Sequence, residues 1–408
     1  MLHHARGLRA FLIVLLGLAS VAGCGGLEPK RDGAARADGR VSDLAPLGRD
    51  GLPQTNDSAP LHLDVVPVPP DAGSDVESTF LDAEGAEARI GADAIPPATD
   101  GGVTPETAAP PPATIVVLPD TQYYAFAPHT EVFAMQTNWI LDQKSTLNIQ
   151  AVLHVGDIVD GGTPSQWAVA NSAMRLLDGH VPYFLVPGNH DVDDKRGTLI
   201  NDYFGPASMP WVTSTMTSGQ IENNYAFVDI GPQKWLVLGL EFGPRDAVMT
   251  WADAVLKAYP NTPAIIVTHA YLYGDGHRYD INVSGLDKNQ PNYQWYIPQA
   301  YGYTSSQGIN DGEMIWQKLI LPNANVRLVF SGHVMSAARL TSTRPDGSRV
   351  HQMLSDYQWL NNENFGYGYL RVVQFNFAKK TIGVQTYSPY VGDYLTDDAN
   401  QFTLDLNL

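Results

Sequence analysis

The sequence predicts a layered α/β domain, and three features carry that expectation. Short β-branched runs alternate with stretches of helical period, each run stops at a polar residue, and the apolar residues concentrate in one part of the chain. Of the 408 residues, those from 113 onward hold all eight tryptophans. Between 25 and 112, Pro, Ala, Gly and Asp dominate and Phe80 is the single aromatic residue, so this stretch cannot bury enough apolar surface to offset chain entropy. It reads as a disordered tether, with one globular domain over 113–408.

Taken in order, the run 114–118 stops at Pro119 and Asp120, as a buried strand would that delivers a carboxylate at its C-terminal end. The run 151–155 stops at Gly156 and Asp157, 183–186 at Gly188, Asn189 and His190, and 264–267 at Thr268 and His269. Helix-like stretches lie between them at 131–144, 165–177 and 246–259; the first places Val132, Met135, Trp139 and Ile140 at helical spacing. In α/β folds the loops at the carboxyl ends of the strands form the ligand crevice, so these polar residues should converge. The runs 326–330, 350–354, 369–377 and 381–387 follow one another with little helical pattern and suggest a second, mostly antiparallel sheet packed on the first. Residues 271–308 are polar, aromatic and Gly-rich with no clear period, and should overhang the site, as a recognition element or a plain surface excursion.

At the N-terminus, Arg6 and Arg9 precede an apolar run over 11–19 that is too short to span a bilayer comfortably, as in a secretory signal. It leads into Val21, Ala22, Gly23 and Cys24, which resembles the lipoprotein box of bacteria, where the cysteine becomes the acylated first residue of the mature protein. Cys24 is the only cysteine, so no internal disulfide is possible. Residues 1–24 are thus read as a lipoprotein signal peptide and the chain as exported and lipid-anchored in the bacterial envelope. Gly25 in place of an acidic residue points to the outer membrane. The tether, 25–112, would let the domain range on the order of 50 Å from its anchor. It carries 16 acidic and 6 basic side chains, so −10 of the net charge of −18 is solvated linker. No nucleic-acid binding is expected.

Asp120, Asp157, Asn189, His269 and His333 stand at successive strand ends, in Pro-Asp-Thr-Gln, Gly-Asp-Ile-Val-Asp, Gly-Asn-His-Asp, Thr-His and Ser-Gly-His contexts. Any one alone would pass for a helix cap or a satisfied core histidine. As a set they resemble the calcineurin-like metallophosphoesterase superfamily, whose ordered blocks are D-x-H, G-D-x-x-D/N, G-N-H-D/E, a lone His and G-H-x-H; the match runs over roughly 114–387. The resemblance implies a four-layer αββα sandwich of two mixed sheets and a centre for two divalent metal ions (Mn, Fe, Zn or Mg). It implies that Asp157 bridges the ions while Asn189, His269 and His333 complete one metal position. It also implies that His190 protonates the leaving oxygen and that Asp160 orients it. The expected activity is hydrolysis of a phosphate monoester or diester by metal-activated water. The alternative is a non-catalytic metal- or phosphate-binding surface lipoprotein that has lost one metal site.

Two departures fall on the other metal position. Gln122 stands where the family usually has His, and Met335 where it has the second His of the last block. Asp120, Asp157 and the amide oxygen of Gln122 remain, but a thioether is a poor ligand for a hard divalent ion, so this position should bind more weakly. Manganese-dependent ADP-ribose pyrophosphatases look similar in carrying D-x-Q. His351 could supply the missing imidazole, although an ordinary sheet residue is the favoured reading. Gly161 and Gly162 follow Asp160 where phosphoprotein phosphatases have Arg, so a phosphorylated small molecule or envelope component is the expected substrate. Arg196, His277, Arg278 and Arg339 are candidate phosphate contacts, though such residues are more often structural. Tyr123 and Tyr124 could stack on a base or sugar, or be core aromatics.

Overall fold

The computed structural model describes residues 111–303, 305–358, 360 and 366–408. The signal peptide, Cys24 and nearly all of the tether lie outside the described residues. The strands are β1 (Ala113–Leu118), β2 (Ile149–His154), β3 (Tyr183–Leu185), β4 (Ser214–Thr215), β5 (Asn224–Ile230), β6 (Gln233–Leu240) and β7 (Ala264–Thr268). They continue with β8 (Val326–Ser331), β9 (Ala337–Thr343), β10 (Arg349–Ser355), β11 (Leu370–Asn376), β12 (Thr381–Ser388), β13 (Asp393–Leu395) and β14 (Phe402–Asp405). The longer helices are α1 (Thr130–Gln143) and α2 (Pro164–Met174); after the short α3 (Ile200–Phe204) comes α4 (Asp246–Ala258). The Thr163 hydroxyl accepts from the Gln166 N–H and Pro164 opens the first turn, which fixes where α2 begins.

Among the described residues the strands form two mixed sheets, ordered β13-β12-β11-β1-β2-β3, with β14 also on β12, and β4-β5-β6-β7-β8-β10-β9. In the first, β1, β2 and β3 run parallel while β11 pairs antiparallel with β1. In the second, β6, β7, β8 and β10 form the parallel centre.

Side chains alternate across each strand, and the packing follows that period. Val116 and Leu118 of β1 face outward onto Val132, Phe133 and Ile140 of α1 and Trp167 of α2. Their neighbours Ile115 and Val117 face inward, against Val237 of β6, Ile265 and Val267 of β7 and Phe330 of β8. On the far side, Leu236, Leu238 and Leu240 of β6 pack on Val248, Ala252 and Leu256 of α4. The result is four layers: helices, sheet, sheet, helices. Each fully buried Leu, Ile or Phe contributes roughly 1.5–3 kcal/mol through removal from water.

The C-terminal runs differ from expectation. They do not make a separate, mostly antiparallel sheet. Residues of β8 and β10 extend the parallel centre of the second sheet, while β11 and β12 extend the first sheet from its β1 edge. The reason is layer closure: β1 is buried on both faces and needs a partner on its free edge, and β11 supplies it from the other end of the domain. The hairpin of β5 and β6 is an additional element of the second sheet.

Candidate metal centre

The carboxyl ends of β1, β2, β3, β7 and β8 meet at one place, and each brings a polar residue. Asp120 lies two residues beyond β1, Asp157 three beyond β2, Asn189 four beyond β3, His269 next after β7 and His333 two beyond β8. Asp157 and His333 occupy left-handed backbone, at φ 48 and 84, a conformation that non-glycine residues keep only where surroundings impose it. Two glycines of the motifs are required by close approach. A Cβ at Gly188 would collide with Oδ1 of Asp157, and one at Gly332 with Oδ1 of Asp120.

His269 donates its Nδ1–H to the Val155 carbonyl at 2.9 Å, which turns the lone pair of Nε2 inward. That nitrogen is 3.1 Å from Asp157 Oδ2 and 4.0 Å from Asp120 Oδ2. His333 donates Nε2–H to the Tyr296 carbonyl at 2.6 Å, so its Nδ1 lone pair points at His269 Nε2, 3.2 Å away. Three acceptors from Asp157, His269 and His333 thus converge, with their ligand atoms all within 4.8 Å of one another. Acceptors facing each other in a buried space repel unless a cation or proton sits between them. Burial disfavours charge on His269, yet the Asp157 carboxylate outweighs it and raises the imidazole pKa; burial and His269 together pull His333 down to about 3.

Further oxygens on the same strand ends are buried and unpartnered. Asn189 Oδ1, Gln122 Oε1 and Asp120 Oδ1 are buried without hydrogen-bond partners, which native interiors rarely tolerate unless something binds there. The Gln122 side chain is hydrogen-bonded to the Tyr123 hydroxyl, and Asp120 Oδ2 accepts from the His333 N–H at 3.0 Å. Carboxylate and amide oxygens with two imidazoles are the donor set that suits Mn, Fe, Zn or Mg, so the residues fit divalent cations.

His190 stands beside this space. Its N–H donates to Asp157 Oδ1 at 2.9 Å, and its ring Nδ1–H donates to Asp160, 2.9 Å from the carbonyl and 3.1 Å from the carboxylate. Burial lowers its pKa, but the charge of Asp157 and the bonds to Asp160 outweigh that and push it up to about 10. The structure brings Asp120, Asp157, His190, His269 and His333 together, with the Asp160 carboxylate against the His190 ring.

Other candidates are placed elsewhere. His351 bonds Thr341 Oγ1 and the Asp405 carbonyl, each at 2.9 Å, and is an ordinary sheet residue. Met335 is 45 % exposed. Arg196 is bound to the Phe242 and Gly243 carbonyls, Arg278 to Glu313 and Gln352, and Arg339 lies over Phe402, so these three are structural. His277 pairs with Asp275 on the surface. Tyr124 is a core residue whose hydroxyl accepts from the Gly368 N–H. The stretch 271–308 does reach the site: it holds short helical turns, packs Ile297 and Tyr303 around Phe242, and presents the Tyr296 carbonyl that orients His333.

Two residues at the centre escape sequence reasoning. Asp191 accepts from the N–H groups of Ile158, Val159 and Gly188 and so pins the Asp157 loop to the Asn189 loop. Its signal was its place in Gly-Asn-His-Asp. Asp356 is buried, follows β10 directly and has no motif around it.

The chain is 35 % identical over 336 residues to "Uncharacterized protein YvnB" of Bacillus subtilis, covering 78 % of this chain and 22 % of that protein. It is 24 % identical over 126 residues to "Probable glycerophosphodiester phosphodiesterase GpdQ" of Arcobacter nitrofigilis, covering 29 % of this chain and 40 % of that one. The chain thus spans well under half the length of these relatives. Among solved structures, a dimetal phosphatase from Danio rerio is 12 % identical, with 73 % of this chain and 100 % of its own covered and a TM-score of 0.44. The family model described as calcineurin-like phosphoesterase matches residues 113–337, more than half of the chain. With that match over the strands that carry the centre, the chain belongs to the calcineurin-like phosphoesterase family.

Proposed function

We propose that the protein is a metal-dependent phosphoesterase that hydrolyses a phosphate monoester or diester with metal-activated water, held to the bacterial envelope through a lipid on Cys24. The observation that carries the enzymatic part is His190, locked by Asp160 at the edge of the Asp157, His269 and His333 cluster. Asp157, Asn189, His269 and His333 would hold one cation, and Asp120, Asp157 and Gln122 would contribute to the second position. Cations bound there would lower the pKa of water and offset charge developing on the phosphoryl oxygens.

The protein's own groups then have defined tasks. Asp157 would contribute to both positions. Asp160 takes the Nδ1–H of His190, which leaves Nε2 to carry the proton that the departing oxygen needs. Asp191 holds the two loops in register, so the acid and the ligands are positioned as one unit.

A binding protein would have no use for a leaving-group acid with an orienting carboxylate, and their joint presence favours the enzyme. The relative named for glycerophosphodiesters makes a small phosphodiester the first substrate to assay, and the absence of an Arg after Asp160 supports small molecules over phosphoproteins. The lipid anchor rests on the apolar run and the box ending in Cys24.

The test is hydrolysis of aryl phosphomonoester and phosphodiester substrates by the full-length protein with manganese, magnesium or zinc, beside His190→Ala. Metal-dependent turnover that the variant loses while keeping its metal supports the enzyme. Bound metal without turnover of any substrate would move the binding protein ahead.

A further inference from the structure

The second cation position lacks the imidazoles of the family's usual pattern, and neither obvious substitute supplies one: Met335 offers only a thioether and His351 is committed to Thr341 and Asp405. A buried carboxylate lies on the neighbouring strand end. Asp356 directly follows β10, which runs parallel beside β8 with Leu354 opposite Ser331, so it leaves the sheet next to the turn that carries Gly332 and His333. Its N–H donates to the Ser336 carbonyl at 2.9 Å, which ties it to the loop holding Met335.

The Asp356 side chain is 2 % exposed. Its Oδ1 accepts from the Gln358 N–H at 3.0 Å, while Oδ2 is buried with no partner. No lysine or arginine forms an ion pair with it among the described residues. Asp120 is tied to the same turn, its Oδ2 accepting from the His333 N–H at 3.0 Å, and its Oδ1 is likewise buried without a partner. A buried, unpaired carboxylate among other carboxylates is costly unless a cation joins them.

We propose that Asp356 is a ligand of the second cation position, standing in for the imidazole that Met335 replaces. This rests on the two-cation reading of the centre. The position then takes all its donors from oxygen: Asp120, Gln122, Asp157 and Asp356. Such a set suits a hard cation, magnesium or manganese, where the Asn189, His269 and His333 position also accepts zinc.

The test is equilibrium dialysis of chelator-stripped full-length protein against manganese, with metal analysis and manganese EPR, for wild type, Asp356→Asn, Asp356→Ala and the double variant Asp356→Asn with Met335→His. Wild type should bind two equivalents. The single variants should keep the tighter equivalent unchanged and lose the weaker one by at least about tenfold in affinity, a loss that groups merely bonded to ligands already cause. The double variant should regain it, which shows that the fold is intact. Two equivalents of unchanged affinity in Asp356→Asn, or fewer than two in wild type, would overturn the assignment. Hydrolysis is not read, so the ligand assignment stands or falls on metal binding alone, and the enzymatic reading on the separate hydrolysis assay.

Discussion

The two proposed cation positions share Asp157 and are otherwise built from different chemistry. On one side, Asn189, His269 and His333 bring two imidazoles, each aimed by a backbone carbonyl, Val155 for one and Tyr296 for the other. On the other side, Asp120, Gln122 and Asp356 bring only oxygens, and one oxygen of each lacks a hydrogen-bond partner. The first is preorganised by its ring orientation; the second would draw its cation through buried, unpartnered oxygens. A centre can lose its imidazoles on one side and still present a cation site, provided a carboxylate arrives from a neighbouring strand.

The sharpest way to break this comparison is at the shared residue. Asp157→Asn should remove both equivalents of metal and lower kcat/KM by roughly 10³-fold or more, read by metal analysis and by hydrolysis of an aryl phosphodiester. His190→Ala should separate chemistry from binding: both equivalents stay, and kcat falls by roughly 10²-fold. An equal loss of metal in His190→Ala would show that it is a ligand rather than the acid.

A smaller effect sharpens the difference between the sides. Met335→His should raise zinc affinity at the second position by about tenfold or more, because it adds a borderline-soft donor to an all-oxygen set, while leaving the first position unchanged. Competition between zinc and magnesium, followed by calorimetry, reads this directly.

The smallest effect is in stability. Burial first, and then Asp157, push the pKa of Asp356 up to about 7, above its unfolded value. Between about pH 4 and 7 the folded protein therefore holds a proton that the unfolded chain releases, and wild-type stability from this group falls as pH rises through that window. Asp356→Asn lacks this loss. In chelated protein its stability relative to wild type should climb by on the order of 1 kcal/mol per pH unit across the window and level off above it. Denaturant unfolding at several pH values measures it, and a flat difference would mean that folding does not raise the pKa of Asp356.

What was legible in the sequence follows the range of the interactions. The runs ending at Asp120, Asp157, Asn189 and His269 were visible because strand and ligand are adjacent in the chain, and the glycines beside them mark where backbone and carboxylate nearly touch. Sheet membership of the last strands was not visible. Pairing of β11 with β1 joins residues more than 250 positions apart, and the alternation inside β11 is the same in either sheet. Asp356 escaped for a related reason: Ser-Asp-Tyr after a strand looks like any turn, and its value comes from β8 lying alongside. The cue present was the repeated design, a β-branched or apolar run ending in a carboxylate. His351, one strand residue inside the same run, attracted attention as an imidazole but is spent on the Asp405 carbonyl.

The most direct test of two unlike cation positions is anomalous X-ray diffraction from crystals soaked in turn with manganese and with zinc. Two manganese peaks should flank Asp157, one against His269 and His333 and one against Asp120, Gln122 and Asp356, with zinc at limiting concentration on the histidine side alone. Manganese confined to the histidine side, or a second peak away from Asp120 and Asp356, would contradict it.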